Sequence, residues 1–319
     1  MLFPIQRLIS GIISTTTLTL VNATDKYASR LTTAATPLLT DPIAARTIPL
    51  MQTSTIAPSS ASATGFARYW QYRDLVRNLV IKDLKVRYQG ATLGFLWSLG
   101  NPLALILLYD FVFTHVFRSD LPHYILYLVI GVLHYNLFSQ SVSQSCESLT
   151  SASGLIQKIY FPRILVPTSS LLFTLALWLI AILILVVLYP FLGGVYHWGL
   201  LLYPLALGLY IAFIWGIVLT FSVLQVEFRD LKHMVEIALM FGFWFTPIGY
   251  DINVLKPATR EIISLNPLTQ FMDLFHALLY AGTLPALSHV LIAIGWTIAT
   301  LTIGMLLFHR KARHLVEDL

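Results

Sequence analysis

Long apolar segments alternate with short polar stretches along most of this chain. Between Arg163 and Glu227 the sequence contains no Asp, Glu, Lys or Arg. An α-helix rises about 1.5 Å per residue, so this interval is long enough for two membrane-spanning helices. Pro190, Gly193 and Gly194 lie near its middle and predict the turn that separates the two helices.

Judged by the length of its apolar segments, the sequence predicts an all-α integral membrane protein with six transmembrane helices. The predicted fifth span is short for a full crossing of a hydrocarbon layer about 30 Å thick. The six spans cover residues 93–117, 124–145, 164–189, 200–224, 233–249 and 286–308. They lie within a membrane domain of residues 89–312, which is followed by a C-terminal tail of residues 313–319.

A different periodicity precedes the first span, over residues 68–88. Apolar side chains at Tyr72, Leu75, Val76 and Leu79 recur three and four residues apart, which predicts an amphipathic helix. Its remaining surface is basic, so we expect it to lie among anionic headgroups, although a surface helix packed on its own protein would show the same pattern. The cations that we expect to meet lipid or pyrophosphate are Arg73, Arg77, Lys82, Lys85 and Arg87.

The segment of residues 250–285 is too polar to span a membrane and too apolar for a free loop. It follows a break at Pro247 and Gly249. We expect one or two short re-entrant helices that dip partway into the outer leaflet before the last span. Polar backbone at membrane depth requires cover from protein or from a water-filled cavity, so this segment is predicted to form the outer mouth of a pathway.

Composition and charge agree with a membrane protein and suggest its orientation. The chain has 319 residues, of which 57% are hydrophobic and 11% charged, whereas soluble domains carry about 25% charge. The net charge of +5 is too small to indicate nucleic acid. With six spans, one side receives most of the Lys and Arg, and the other receives Arg118, Lys256 and Arg260. The cation-rich side is predicted to be cytoplasmic, with both termini on that side.

Residues 1–65 differ from the remainder of the chain. They are rich in Ser, Thr and Ala, carry few charges and show no sustained hydrophobic period. A disordered tail, a weak signal peptide after Arg7, and a translation start at Met51 are all compatible with this stretch.

The sequence offers no recognisable catalytic or metal site. It contains no G-x-x-x-x-G-K-[ST] phosphate loop and no H-E-x-x-H pattern. Cys146 is the single cysteine, which excludes an intrachain disulfide framework and a multi-cysteine metal site. We therefore expect no enzymatic activity, no metal and no cofactor in this chain.

Aromatic side chains recur along the predicted spans. They are either lipid-facing bulk and interface belts or the lining of a sugar pathway, because sugar rings rest on aromatic planes and tyrosine hydroxyls exchange hydrogen bonds with sugar hydroxyls. Asp110 is an acid inside the first span and is a candidate functional residue or a partner of a neighbouring helix. The candidate pathway aromatics are Trp97, Tyr109, Phe113, Tyr124, Tyr127, Tyr135, Phe241, Trp244 and Phe245.

Three motifs resemble a known family. "LVIKDLKVRYQGATLGFLWSLGNPL" (79–103), "KIYFPRILVP" (158–167) and "VEFRDLKHMVEIALMFGFWFTPIGY" (226–250) are similar to the permease subunits of bacterial ABC exporters for surface polysaccharides, of the O-antigen and teichoic-acid type. The resemblance extends from about residue 68 to the C-terminus. It implies two copies of the chain in the inner membrane, with two separate ATPase subunits that bind ATP and Mg.

The resemblance also implies contacts with the ATPase. The loop between spans two and three would form a cytoplasmic docking helix over residues 147–160, closed by Phe161-Pro162-Arg163, and residues 227–231 would form a lesser contact. We expect Phe161 to be the apolar anchor, since a large aromatic in a polar loop otherwise has nothing to bury against. The expected docking residues are Glu147, Lys158, Tyr160, Phe161, Arg163, Phe228, Arg229 and Asp230.

The function that the resemblance implies is export of a lipid-linked polysaccharide, driven by the separate ATPase. An ABC permease for a small lipid or drug, a proton-coupled secondary transporter and a membrane-bound glycosyl or acyl transferase are the alternatives. The sequence places few ionisable residues deep in the membrane and no cluster of acids or histidines at one membrane face, which disfavours the last two.

Overall fold

The computed structural model describes residues 72–88 and 121–312, with isolated positions 100, 104, 107, 108 and 111 between them. All of these residues belong to one compact unit, Thr64–Leu319. The tails of residues 1–65 and 313–319 lie outside the described residues, as does most of the predicted first span. The predicted site residues that fall there are Trp97, Tyr109, Asp110 and Phe113.

Every regular element in these described ranges is helical. Short turns of 3₁₀ type cover Trp198–Leu202 and Ile252–Val254, and a π-helical turn covers Ala277–Ala281. The α-helices are α1 (Arg73–Tyr88), α2 (Tyr124–Ser151), α3 (Ser153–Lys158), α4 (Leu165–Leu188), α5 (Tyr203–Glu227), α6 (Leu231–Trp244), α7 (Pro257–Ser264), α8 (Pro267–His276) and α9 (Leu287–Lys311).

Four of these helices are long and apolar enough to cross a membrane. They are α2, α4, α5 together with its preceding 3₁₀ turn, and α9. They coincide with the second, third, fourth and sixth predicted spans. Because α6 has only 14 residues, it is about 21 Å long and shorter than the hydrocarbon layer.

The boundary of the predicted docking helix was wrong. Residues 147–151 continue α2, and the short α3 begins only at Ser153. Ser148 and Ser151 donate hydrogen bonds to carbonyls three residues earlier in the same helix, and no glycine or proline precedes Gly154 in this stretch. The 28 residues of α2 measure about 42 Å, so the helix is longer than the hydrocarbon layer is thick.

Contacts between residues far apart in the sequence show which ends of the helices lie together. At the cation-rich end, Lys232 Nζ lies 2.6 Å from Glu147 Oε1, and Lys311 contacts Glu227. These pairs join α2 to α6 and α5 to α9. The paired residues belong to segments that the charge pattern assigned to the same side.

The opposite end is held by tyrosine hydroxyls. Tyr280 donates to the Pro122 carbonyl at 2.6 Å, and Tyr189 donates to the Leu279 carbonyl at 2.7 Å. These bonds connect the start of α2, the end of α4 and the π-helical turn that follows α8. The described helices therefore alternate in direction between two ends.

The segment that contains α6 runs beside α2 along most of the length of α2. Beyond the end of α6 at Trp244, Tyr124 donates to the Gly249 carbonyl at 2.8 Å and Tyr127 donates to the Tyr250 carbonyl at 3.1 Å. Non-helical residues thus extend this short helix to the end of α2 opposite the cation-rich end.

Gly131 allows the non-helical segment to approach α2 closely. A Cβ at Gly131 would lie 2.7 Å from the Ile248 carbonyl oxygen and 3.1 Å from Ile248 Cα. Because both of these atoms belong to the backbone, a larger residue at position 131 would displace the segment.

A hydrogen-bonded histidine lies at the centre of the helical core. His134 is fully buried, and its Nδ1 donates to the Ile130 carbonyl at 2.7 Å. Its Nε2 therefore accepts from the Tyr203 hydroxyl at 2.9 Å. Tyr210 donates to the His134 carbonyl at 3.0 Å, and the Phe275 ring stacks on the imidazole at 3.8 Å. This cluster joins α2, α5 and α8.

The helices α5 and α9 form the most extensive helix pair in the described chain. Gly216 of α5 faces Gly304 of α9, and a Cβ on either residue would collide with the backbone of the other helix. Small residues at such a crossing allow two backbones to approach closely in a membrane.

Candidate functional site

A groove with a volume of about 600 Å³ lies between α2 and α6. One wall comes from a polar repeat in α2, where Ser139-Gln140 is followed four residues later by Ser143-Gln144. Residues four apart in a helix lie on the same face, so the repeat forms one polar strip along the groove. We call this cavity the α2–α6 groove.

The polar strip retains much of its hydrogen-bonding capacity. The side chains of Gln140, Ser143 and Gln144 make no hydrogen bond with another described residue. Each glutamine amide provides two donor hydrogens and an acceptor oxygen. The strip can therefore exchange hydrogen bonds of both kinds with a ligand rich in hydroxyl groups.

The facing wall of the α2–α6 groove is apolar and aromatic. It includes Leu239, Met240, Phe243 and Trp244 from α6, and the Trp244 side chain is 57% exposed. Tyr135 of α2 lies at the edge of the groove and donates its hydroxyl to the Leu239 carbonyl. An aromatic wall opposite an amide strip suits a sugar ring, which has apolar C–H faces and a rim of hydroxyls.

Charged residues surround the cation-rich end of this groove. Lys232 lies 2.6 Å from Glu147 and 3.9 Å from Glu236, and all three residues line the groove. The side chains of Lys232 and Glu147 are partly solvent-exposed, so their attraction contributes little to stability. The ion pair instead fixes the relative position of α2 and α6 at this end of the groove.

A second cavity, of about 380 Å³, lies between α1, α2 and the start of α4. Four serines line it, at positions 148, 151, 169 and 170, and we call it the serine cavity. The guanidinium of Arg87 lies 5.7 Å from the centre of the buried Phe173 ring at its wall. Arg87, Gln144 and Glu147 line both the serine cavity and the α2–α6 groove, so the two cavities adjoin.

The predicted lipid-facing cations are all exposed on α1. The apolar side of this helix packs inward, with Leu79 buried and Leu75 and Val76 against a cluster that contains Phe161. This arrangement agrees with an amphipathic helix, while contact of its cations with lipid remains a prediction. The exposed cations are Arg73, Arg77, Lys82, Lys85 and Arg87.

The reason given for Phe161 as the docking anchor was wrong. Its side chain is only 5% exposed and packs with Leu149, Ile156 and Leu165 of its own chain. The neighbouring Tyr160 is 89% exposed. Tyr160 is therefore the aromatic that remains available to a partner at this corner.

The other predicted docking residues divide into exposed and internally bonded groups. Arg163 donates to the Ala312 carbonyl just after α9, which favours a role at the membrane boundary. Glu147 forms the ion pair with Lys232. The remaining members are exposed near the cation-rich end: Lys158, Phe228, Arg229 and Asp230.

The predicted pathway aromatics also fall into two groups. Tyr124, Tyr127 and Tyr135 are buried, and their hydroxyls donate to backbone carbonyls. Phe241 and Phe245, like Trp244, are more than half exposed. Of the described candidates, Tyr135 and Trp244 are the two that line the α2–α6 groove.

An acid and a histidine meet at the end of the helices opposite the cation-rich end. Asp273 of α8 lies 3.4 Å from Nδ1 of His289, which also lies 2.7 Å from the Gln270 side-chain oxygen. Burial, helped by the nearby Asp251 and opposed by His289 and Arg260, raises the pKa of Asp273 to about 6. This pair links α8 to the start of α9.

Sequence reasoning missed the polar strip of α2. The signal was present as the repeated Ser-Gln pairs at 139–140 and 143–144. Polar residues within an apolar span are functional candidates when they face a cavity. The sequence alone did not show which part of the chain forms the facing wall.

Helices long and apolar enough to cross a membrane, with a groove and an adjoining cavity between them, define a helical membrane protein. No group of three or more metal-ligating side chains occurs among the described residues. The family comparison makes the class specific: residues 74–280 match the family described as ABC-2 type transporter, and the chain belongs to this family.

Similar proteins are named for the export of O-antigen or the transport of polysialic acid. The chain is 29% identical over 240 residues to the O-antigen export system permease protein RfbA of Myxococcus xanthus, covering 73% of this chain and 92% of that protein. It is 33% identical over 216 residues to RfbA of Klebsiella pneumoniae, covering 66% and 82%. It is 22% identical over 241 residues to the polysialic acid transport protein KpsM of Escherichia coli, covering 74% and 93%.

Proposed function

We propose that this chain is the permease subunit of an ABC exporter that moves a polysaccharide across the bacterial cytoplasmic membrane. Membership of the ABC-2 type transporter family and the names of the relatives support transport of this substrate class. The observation that carries the proposal is the α2–α6 groove, where amides that make no hydrogen bond with another described residue face an aromatic wall.

The chemistry of the groove suits a polymer that moves. Each sugar would exchange a few hydrogen bonds with Gln140, Ser143 or Gln144 and rest on the Trp244 side. Hydrogen bonds of this kind contribute only about 1 kcal/mol each in net terms. A repeating glycan can therefore shift by one unit without crossing a large barrier, because equivalent contacts re-form.

The topology within this proposal has six crossings and cytoplasmic termini. The segment of α6 and its non-helical extension forms the fifth crossing, and the predicted span 93–117 forms the first. The cation-rich end, where Lys232 and Lys311 are paired, faces the cytoplasm. The segment of residues 250–285, with its helices α7 and α8, lies at the outer mouth.

Transport in this proposal requires a second protein. Two copies of the permease associate with two ATPase subunits, which bind ATP and Mg. Tyr160, Phe228 and neighbouring exposed residues form the docking surface. Their exposure at the cation-rich end supports this assignment. The substrate is a lipid-linked glycan of O-antigen, capsule or teichoic-acid type.

Export measured in cells tests the proposal. A strain that lacks this gene is complemented with the wild type, Gln140→Leu, Trp244→Ala or both changes together, and surface glycan is quantified with permease abundance. We expect each single change to lower export several-fold, because each removes a contact worth about 1 kcal/mol, and the double change to lower it further.

A matched control separates the groove from exposed aromatics in general. Trp198 is 87% exposed but lies at the outer end, away from the groove. Trp198→Ala should therefore leave export unchanged. Normal surface glycan in the double groove variant, at normal permease abundance, would contradict the proposed pathway.

A further inference from the structure

The serine cavity contains hydrogen-bond donors that are not used within the described chain. Ser170 is 4% exposed, and its Oγ has no hydrogen-bond partner. The amide of Gln144 likewise makes no hydrogen bond with another described residue. By contrast, Ser148, Ser151 and Ser169 donate to carbonyls of their own helices. Among the described residues, the neutral donors of the cavity without a partner are thus Ser170 and Gln144.

Arg87 is the cation of this cavity without an acidic partner among the described residues. Lys82 lies 3.5 Å from Asp83, and Glu147 is paired with Lys232. The guanidinium of Arg87 instead lies over the Phe173 ring at 5.7 Å. A buried donor and a guanidinium that has no acidic partner in the described part of the chain favour an anion with several acceptor oxygens, and a phosphate group has this chemistry.

The adjoining α2–α6 groove has a different chemistry. Its strip supplies donors and acceptors together, and its opposite wall is aromatic. A phosphate needs donors and positive charge, whereas a sugar needs donors, acceptors and an apolar face. Arg87 and Gln144 line both cavities. A molecule with a phosphate next to a sugar could therefore place its phosphate in the serine cavity and its sugar in the α2–α6 groove.

We infer that the serine cavity and the α2–α6 groove form one bipartite site for a lipid-linked sugar phosphate. The phosphate binds Arg87, Ser170 and Gln144 in the serine cavity, and the first sugars bind the polar strip of the groove. The inference rests on the proposed function and adds the position and polarity of the bound substrate. The lipid chain leaves the cavity on the side of α1, whose cations are exposed.

Binding to the purified permease in phosphatidylcholine nanodiscs tests this inference. Three lipid probes are compared: a polyprenyl pyrophosphate that carries a disaccharide, the same polyprenyl pyrophosphate without sugar, and an alkyl disaccharide without phosphate. Arg87→Gln should weaken both phosphate-containing probes by about tenfold or more and leave the alkyl disaccharide unchanged. Gln140→Leu should weaken both sugar-containing probes and leave the sugar-free pyrophosphate unchanged.

Two control variants match the test variants chemically. Arg310→Gln makes the same charge change at an exposed position outside both cavities. Ser141→Ala removes another buried hydroxyl that has no partner, and this residue lines neither cavity. We expect both controls to bind all probes as the wild type does. Ser170→Ala should weaken only the phosphate-containing probes and should still fold, because it removes an unsatisfied polar atom.

The outcomes separate this inference from the proposed function. Equal loss of all three probes in Arg87→Gln, or no loss of any, would overturn the bipartite site. If export in cells still depended on the groove, the proposed function would stand without it. Inorganic pyrophosphate is added as a soluble competitor. Displacement of the sugar-free lipid at comparable concentration would overturn the lipid-linked assignment in favour of a free phosphate.

Discussion

The crossing of α5 and α9 provides the sharpest test of how this membrane fold is packed. A Cβ at Gly216 would lie 2.5 Å from the Thr300 carbonyl carbon and 2.6 Å from the Leu301 nitrogen. Both atoms belong to the α9 backbone, so no side-chain rotation relieves the collision. In Gly216→Ala the two helices must separate by about 1 Å to restore ordinary contact distances.

The size of the effect follows from two opposing contributions. Overpacking of a tight contact costs about 1–3 kcal/mol, and a backbone-to-backbone collision belongs at the upper end. Alanine is about 1 kcal/mol more favourable than glycine within a helix. We therefore expect Gly216→Ala to destabilise the protein by about 2 kcal/mol, which corresponds to a fall in Tm of about 4–8 °C for a domain of this size.

The assay is thermal unfolding of the purified protein in detergent, followed by size-exclusion chromatography of the fraction that stays folded. Gly208 lies on the same helix, and a Cβ there would have no neighbour within 4 Å. Gly208→Ala should therefore raise Tm by about 2–4 °C, since only helix propensity changes. Equal Tm values for Gly216→Ala and Gly208→Ala would refute the close packing of α5 on α9.

Three further predictions concern the corner at Tyr160 and Phe161, the carboxyl group of Asp273, and the need for an ATPase partner. Tyr160→Ala should reduce co-purification of the ATPase at normal permease abundance, whereas Phe161→Ala should lower the abundance itself by opening a cavity in the cluster that buries this ring; reversed results would contradict the assignment. Because burial raises the pKa of Asp273 to about 6, its contribution to stability is present at low pH and is lost as pH rises through about 6. Asp273→Asn should remove this fall in Tm between pH 4 and pH 7, and an unchanged pH profile would show that Asp273 does not cause it. Purified without a partner, the chain should hydrolyse no ATP, and turnover in a preparation shown to lack the ATPase would contradict the separate-subunit mechanism.

The sequence predicted the spans that correspond to α2, α4, α5 and α9 well because hydrophobicity is a local property. The predicted third span of residues 164–189 corresponds to α4, Leu165–Leu188, and the sixth, 286–308, begins within one residue of α9, Leu287–Lys311. The exposure of the α1 cations also followed from periodicity. These features depend only on residues that are close together in the sequence, so they can be read from the sequence directly.

Features that depend on distant partners were harder to predict. Phe161 lies in a polar loop, yet it is buried because residues of α2, α3 and α4 surround it. The hydroxyls of Tyr124 and Tyr127 bond to carbonyls more than a hundred residues away. The Ser-Gln pairs of α2 can be recognised in the sequence, but the aromatic wall opposite them belongs to α6, and the sequence does not show that the two helices face each other. No spacing rule predicts such pairings.

The way in which α2 holds its neighbour has a consequence for divergence. Tyr124, Tyr127 and Tyr135 bind the carbonyls of Gly249, Tyr250 and Leu239. Every amino acid has a carbonyl, so these three bonds place no demand on the side chains at the accepting positions. The scaffold can therefore keep its geometry while residues along α6 and its extension change between homologues. In the proposed pathway, a new glycan specificity would arise by substitution on that wall, without a compensating change in α2.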